Sequence, residues 1–277
     1  MSCALQISGI LCKFVSQYCL KMELIDTHSH IYDEAFAEDF DAVIDRARKV
    51  GVAACIMPGI DMSTHGAMMD VADRLPGFAF PCIGLHPTSV NDNWRSELDF
   101  VIQNASGKDF RAIGEIGLDE YWSKDFVKEQ IEVCEQQIAL ASRLDIPVII
   151  HLRNATEDFF RVLEDLKGLS FRGTMHAFSG SYETYRALLR YADFKFGIGG
   201  VSTYKNAGVA SAIGKMSLSD LVLETDCPWL TPVPFRGRRN EPSFIRYVAD
   251  KIASVKNIDV EEVARATSMN ARALFGI

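Results

Sequence analysis

Glu23-Leu24-Ile25-Asp26-Thr27-His28-Ser29-His30 is a short apolar run that turns polar and ends on two histidines two residues apart. A run of this length and composition reads as a buried strand rather than a helix. The pattern returns along the chain, giving eight β-rich runs at 23–26, 52–57, 79–85, 111–116, 147–151, 173–177, 194–198 and 221–225. Between them lie amphipathic stretches of helical length, such as 39–50, 124–143 and 156–167; the second places Ile131, Cys134, Ile138 and Ala141 on one face. Such alternation is the signature of βα units around a parallel sheet, and strands this apolar are covered on both sides. Eight units between residues 22 and 277 make the inventory of an α/β fold of the (β/α)₈ TIM-barrel type in a single domain, with a doubly wound open sheet as the competing architecture. Apart from this alternation the sequence has no internal repeat, interior linker or low-complexity segment.

The 277 residues are 48% hydrophobic and 24% charged, which fits a globular protein and excludes disordered or collagen-like classes. Lys and Arg total 29 against 37 Asp and Glu, a net charge of −8, so a globally basic nucleic-acid-binding surface is excluded and only a local basic patch is allowed. No apolar run approaches the ~18 residues of a membrane span. Seven cysteines with no CxxC pair fit reduced thiols, and a cytoplasmic location is expected. In residues 1–21 the apolar stretch from Leu5 to Leu11 lacks a basic segment before it and is interrupted by Lys13, a poor signal peptide. This segment is expected to be a loose extension or foreign to the native protein, with the folded domain starting near Met22.

In a barrel of this kind the active site stands at the C-terminal ends of the strands. Those ends carry His28 and His30, His86, Glu115, His151, His176 and Asp226, which is five of the six histidines in the chain. The period of two along a strand puts His28 and His30 on one face, where a single ion can take both. Imidazole with carboxylate suits Zn²⁺ and other first-row ions, and Mn²⁺ or Mg²⁺ where carboxylate and water dominate. His28, His30, His151 and His176 with the two carboxylates are enough for two divalent ions, with Glu115 as the expected bridge and Asp226 as terminal ligand and proton acceptor. Arg153, two residues beyond His151, is expected to meet a phosphate with its planar fork. His86 is left to donate a hydrogen bond to substrate or to cap its loop. Arg236, Arg238 and Arg239 beside Asn240 and Glu241 read as a phosphate-facing patch, so Arg236, Arg238 and Asn240 join His86 and Arg153 as expected substrate contacts. Tyr121 and Trp122 can stack a base or simply pack at the rim. Cys227 reads as a small buried residue, and the glycines from Gly197 to Gly200 as room for close approach.

The same residues fall into motifs. Asp26-Thr27-His28-Ser29-His30, Gly84-Leu85-His86-Pro87, Gly114-Glu115-Ile116-Gly117-Leu118-Asp119, His151-Leu152-Arg153, His176-Ala177-Phe178-Ser179-Gly180, Glu224-Thr225-Asp226-Cys227-Pro228-Trp229 and Arg236-Gly237-Arg238-Arg239-Asn240-Glu241-Pro242 follow one another in order. Taken together, this sequence resembles the TatD family of metal-dependent hydrolases, within the amidohydrolase-like barrels, over essentially all of 22–277. The resemblance implies a two-metal site of His28, His30, Glu115, His151, His176 and Asp226. It also implies an Mg²⁺- or Mn²⁺-dependent deoxyribonuclease working 3′ to 5′. The chain departs from the family pattern at Glu120, where an aromatic is common, and at Leu152 and Asn154. Given the acidic balance, a short single strand or nicked DNA end fits better than long duplex. No obligate protein partner is implied. The rival readings are a two-metal hydrolase of a small phosphate ester or of an acyl ester or amide, including aminoacyl-tRNA, and a non-catalytic binding module.

Overall fold

The computed structural model describes residues 22–277 apart from Lys108. Among these residues eight strands alternate with helices: β1 Leu24–Asp26, β2 Val52–Met57, β3 Ala79–Pro81, β4 Ile113–Asp119, β5 Val148–Arg153, β6 Arg172–Met175, β7 Asp193–Ile198 and β8 Leu221–Leu223. The helices are α1 Phe40–Val50, α2 Met62–Arg74, α3 Trp94–Asn104, α4 Val127–Leu144, α5 Thr156–Asp165, α6 Tyr182–Leu188, α7 Val209–Lys215, α8 Ile245–Lys256 and α9 Val260–Phe275. Residues 1–21 lie outside the described residues, and with them the expected terminal extension.

All strand pairs are parallel, in the orders β1-β2-β3 and β4 to β8. Two short bridges join these sheets into a ring. Ile83 pairs with Ile113 between β3 and β4, and Ser29 pairs with Cys227 just past β1 and β8. Around the second closure Thr27 N donates to Leu223 O, Asp226 N to His28 O and His30 N to Cys227 O, each at 2.9 Å. The expected barrel is therefore the observed architecture. The expected run 79–85 breaks after Pro81, and β4 continues to Asp119, beyond its expected end at 116.

Each helix buries one stripe against the strands, because its apolar residues recur at the helical period. In α4, Cys134, Ile138 and Ala141 are buried as the spacing requires, together with Val133 and two glutamines. Those glutamines tie loops: Gln137 holds both backbone groups of Leu85, and Gln130 those of Asp119. The N-terminal ends of the strands are sealed by α9, whose Ala271, Leu274 and Phe275 pack with Ile56, Cys82, Ile149 and Val222. The opposite end stays open.

Candidate metal centre

Glu115, in the middle of β4, is buried and lies at the centre of the open end. Its Oε2 is 3.0 Å from His28 Nε2, and its Oε1 is 2.9 Å from His151 Nδ1, 3.5 Å from His86 Nε2 and 3.7 Å from His176 Nε2. His28 and His30 present their Nε2 atoms 3.1 Å apart, and Asp226 Oδ1 stands 3.7 and 3.5 Å from them. The two carboxylate oxygens of Glu115 thus face two different groups of histidines. Three overlapping sets could each hold a cation: His28, Glu115 and His176; His28, His30 and Asp226; and His86, Glu115 and His151.

Contacts at the far side of a ring decide which of its nitrogens is free to ligate. Tyr32 donates its hydroxyl to Pro58 O, so its oxygen accepts from His30 Nδ1 at 2.8 Å and the lone pair of His30 is on Nε2, facing the centre. His151 Nε2 meets Asp119 Oδ2 at 2.8 Å, leaving Nδ1 toward Glu115. His176 Nδ1 lies 3.2 Å from Glu224 Oε1, an ion-pair contact outside hydrogen-bond geometry, with Nε2 inward. His28 Nδ1 is buried without a partner, so its ring is oriented by what Nε2 faces and by stacking on His176 at 3.4 Å between centroids. His86 is different. Its Nδ1 accepts from the Thr88 backbone N–H and contacts the Thr88 hydroxyl, which puts the ring proton on Nε2 and makes that atom a donor rather than a metal ligand.

The electrostatics match a site built for cations. Burial opposes ionisation of Glu115, yet His28, His86 and His176 with the His151 hydrogen bond hold its carboxyl well below the usual range. Burial likewise opposes charging of His176 and His151, but Glu224, Glu115 and Asp226 push the first up to about 10, and hydrogen bonds to Asp119 and Glu115 raise the second to about 8. Burial lowers His28 and His86. Inward-facing lone pairs on His28 and His30, beside two carboxylates, fit divalent ions better than they fit one another. One set would be His28, His30 and Asp226 with Glu115 Oε2; the other Glu115 Oε1, His151 Nδ1 and His176 Nε2.

Local backbone explains how these groups converge. Gly117 pairs in register with His151 at φ 135°, and a Cβ there would stand 2.0 Å from His151 O. Only glycine allows that approach, which lets Glu115 and Asp119, on either side of it, both reach the His151 ring. A Cβ on Gly197 would meet the Glu224 carboxylate at 2.0 Å, so the close approach expected there is filled by Glu224. Asp26, buried, accepts from Thr225 N and Oγ1 and so stitches β1 to the loop that carries Asp226.

Above this cluster opens a cavity of about 670 Å³, whose wall includes His86, Trp122, Arg153, Ser179, Trp229 and Leu230. Of the expected substrate contacts, His86 and Arg153 line it. The Arg153 guanidinium lies 3.8 Å over the Tyr121 ring and 5.3 Å from that of Trp122. Two members of the expected phosphate patch after β8, Arg239 and Asn240, are engaged within the fold. Asn240 is fully buried; its Nδ2 donates to Thr225 O at 2.7 Å and Trp229 O at 2.6 Å, and its Oδ1 accepts from Glu241 N. It braces the loop and has nothing left for a ligand. Arg239 is held by both oxygens of Asp39 at 2.8 Å, and Glu241 by Arg46. Arg236 and Arg238 are exposed and outside the cavity wall, Arg236 lying over Tyr204. Residues the sequence reading gave no role, Asp119, Glu224 and Tyr32, orient three of the histidines. For Asp119 and Glu224 the signal was their even spacing from Glu115 and Asp226; Tyr32 likewise stands two residues after His30.

The family model described as TatD related DNase matches residues 25–276. The chain belongs to that family. Among TatD relatives it is 39% identical to Uncharacterized metal-dependent hydrolase YabD of Bacillus subtilis (strain 168), covering 92% of this chain and 99% of YabD. It is 29% identical to the 3′-5′ ssDNA/RNA exonuclease TatD of Erwinia amylovora, over 92% of this chain and 100% of that one. Of solved structures, YJJV, a TatD homologue from Escherichia coli K12, is 27% identical and superposes with a TM-score of 0.83 over 93% of this chain and 100% of its own. The TatD assignment makes the chain a metal-dependent hydrolase. No helix among its described residues is long and apolar enough to cross a membrane.

Proposed function

We infer that the protein hydrolyses phosphodiester bonds, shortening single-stranded DNA from its 3′ end with two divalent ions, Mg²⁺ or Mn²⁺ in preference to Zn²⁺. The observation that carries this reading is the Glu115 carboxylate, with one oxygen toward His28 and the other toward His151. When bound, two such ions supply Lewis acidity at the phosphoryl oxygens and make a water nucleophilic near neutral pH. The chain's own residues do the rest. Asp226 is the more open of the two carboxylates, lines the cavity, and stands where it can take the proton of an attacking water. His86 lines the same cavity, and its Nε2–H, 3.5 Å from Glu115 Oε1, is the chain's donor for a non-bridging phosphate oxygen beside that carboxylate. Asp119, Glu224 and Tyr32 keep three imidazoles in the ligating tautomer. The name borne by the Erwinia relative supports a nucleic-acid substrate. The free, buried Cys55, Cys82, Cys134 and Cys227 support a reducing, cytoplasmic setting.

The test is degradation of 3′- and 5′-labelled single-stranded DNA, with RNA in parallel, by protein stripped of metal and resupplied with Mg²⁺, Mn²⁺ or Zn²⁺, alongside His151→Ala. Metal-dependent shortening from the 3′ end, lost in the variant, is the expected outcome. A folded protein that binds two ions and cuts no nucleic acid under any metal refutes the reading and leaves a small phosphate ester or acyl substrate.

A further inference from the structure

Two of the three tryptophans in the chain stand exposed on the wall of the cavity, Trp122 at 70% and Trp229 at 46%, whereas Trp94 is buried. An exposed tryptophan leaves a large apolar surface in water, and two of them sharing one cleft is a ligand-facing arrangement rather than a packing one. Their supports differ. Trp122 meets Tyr121 edge-on at 5.0 Å, and Arg153 lies over Tyr121, so three planar groups form one stiffened block. Arg153 is thereby part of an aromatic platform on the cavity wall. Trp229 leans on His30, with ring centroids 5.1 Å apart, and is fixed from behind by Asn240 through its backbone carbonyl.

The topology sets them across from each other. Trp122 follows β4 and belongs with the end of β5, and Trp229 follows β8 and belongs with the end of β1. In a closed ring of eight strands the boundary between the fourth and fifth is diametrically opposite the boundary between the eighth and first. The Glu115 cluster therefore lies on the floor between two aromatic walls.

Resting on the nuclease reading, we propose that Trp122, with Tyr121 and Arg153 behind it, and Trp229 form opposed stacking faces that grip the bases flanking the scissile phosphate. This makes the site selective for unpaired bases while indifferent to their identity. Every base offers a π-face, so stacking grips without reading sequence, and a base held in a duplex cannot offer it. The grip supplies what a chain of net charge −8 cannot supply by a basic surface.

The experiment compares an oligothymidylate with one whose last four 3′ residues are abasic tetrahydrofuran units, using metal-loaded wild type, Trp122→Ala, Trp122→Phe and Trp229→Ala. Wild type should show a KM about 5- to 100-fold lower for the base-bearing strand, the range that one stacked base contributes. Each alanine variant should lose most of that preference, and Trp122→Phe, which keeps a ring, should restore it. Both tryptophans are exposed, so their truncation leaves the buried core intact. Equal KM for the two strands in wild type, or an alanine variant that weakens both equally, overturns the clamp while leaving the nuclease standing. Cleavage of neither strand overturns both.

Discussion

Asn240→Ala separates two accounts of the loop that follows β8. If Asn240 met substrate, its removal would raise KM and leave the fold alone. The structure instead gives the side chain three internal hydrogen bonds, two from Nδ2 to Thr225 O and Trp229 O and one to Oδ1 from Glu241 N, all at a fully buried position. Alanine removes all three and strands two carbonyls and an N–H. At roughly 0.5–1.5 kcal/mol net for each bond, the loss is about 1.5–4.5 kcal/mol. In a chain of this size, that corresponds to a fall in melting temperature of roughly 3–18 °C. Urea unfolding in the presence of a chelator is the assay, with a lowered midpoint at unchanged slope. Because Thr225 and Trp229 flank Asp226, kcat should fall together with stability. A variant with wild-type stability and a raised KM would refute the structural assignment and return Asn240 to the substrate.

Metal uptake should expel protons. His151 and His176, raised to about 8 and about 10, carry protons on their inward nitrogens at pH 7 and must lose them to bind. Calorimetry in buffers of different ionisation heat should report about two protons released at pH 7, fewer above pH 8, and affinity that weakens as pH falls; buffer-independent heats would contradict this. Tyr32→Phe leaves His30 Nδ1 and Pro58 O without their shared hydroxyl and should weaken metal binding by about 10-fold or more, read by competition with a chromogenic chelator. Gly117→Ala drives a methyl into His151 O at 2.0 Å from a φ that alanine avoids, and should cost more than about 3 kcal/mol; wild-type thermal stability would show that β4 and β5 can part there.

The barrel and the convergence of strand-end histidines and carboxylates were legible because both follow from local rules: apolar runs at fixed intervals, and a change to polar residues where each strand leaves the core. The end of β4 was not, since Gly117 looks like a break until its contact with the His151 backbone is known, and the strand runs on through it to Asp119. The loop of Arg236 to Glu241 misled for a different reason. Arginines beside asparagine look alike whether they await a phosphate or already hold carboxylates, and Asp39, the partner of Arg239, lies 200 positions away in the chain. Glu224 was hidden by sequence separation too, its contact with Ala177, 47 positions away, and that with His176 being set by β6 and β8 rather than by neighbours in sequence.

The ring closes through Ser29 and Cys227, 198 positions apart, and the histidines beside the first belong to the same candidate cation set as the aspartate beside the second. During synthesis, at some 5–20 residues per second, the first ligands wait roughly 10–40 s for the last. A nascent or truncated chain that ends before β8 can build most of the wall, yet it lacks Asp226 and with it the set of His28, His30 and Asp226. The part of the candidate centre that joins the first strand to the last is thereby withheld until the polypeptide has come full circle.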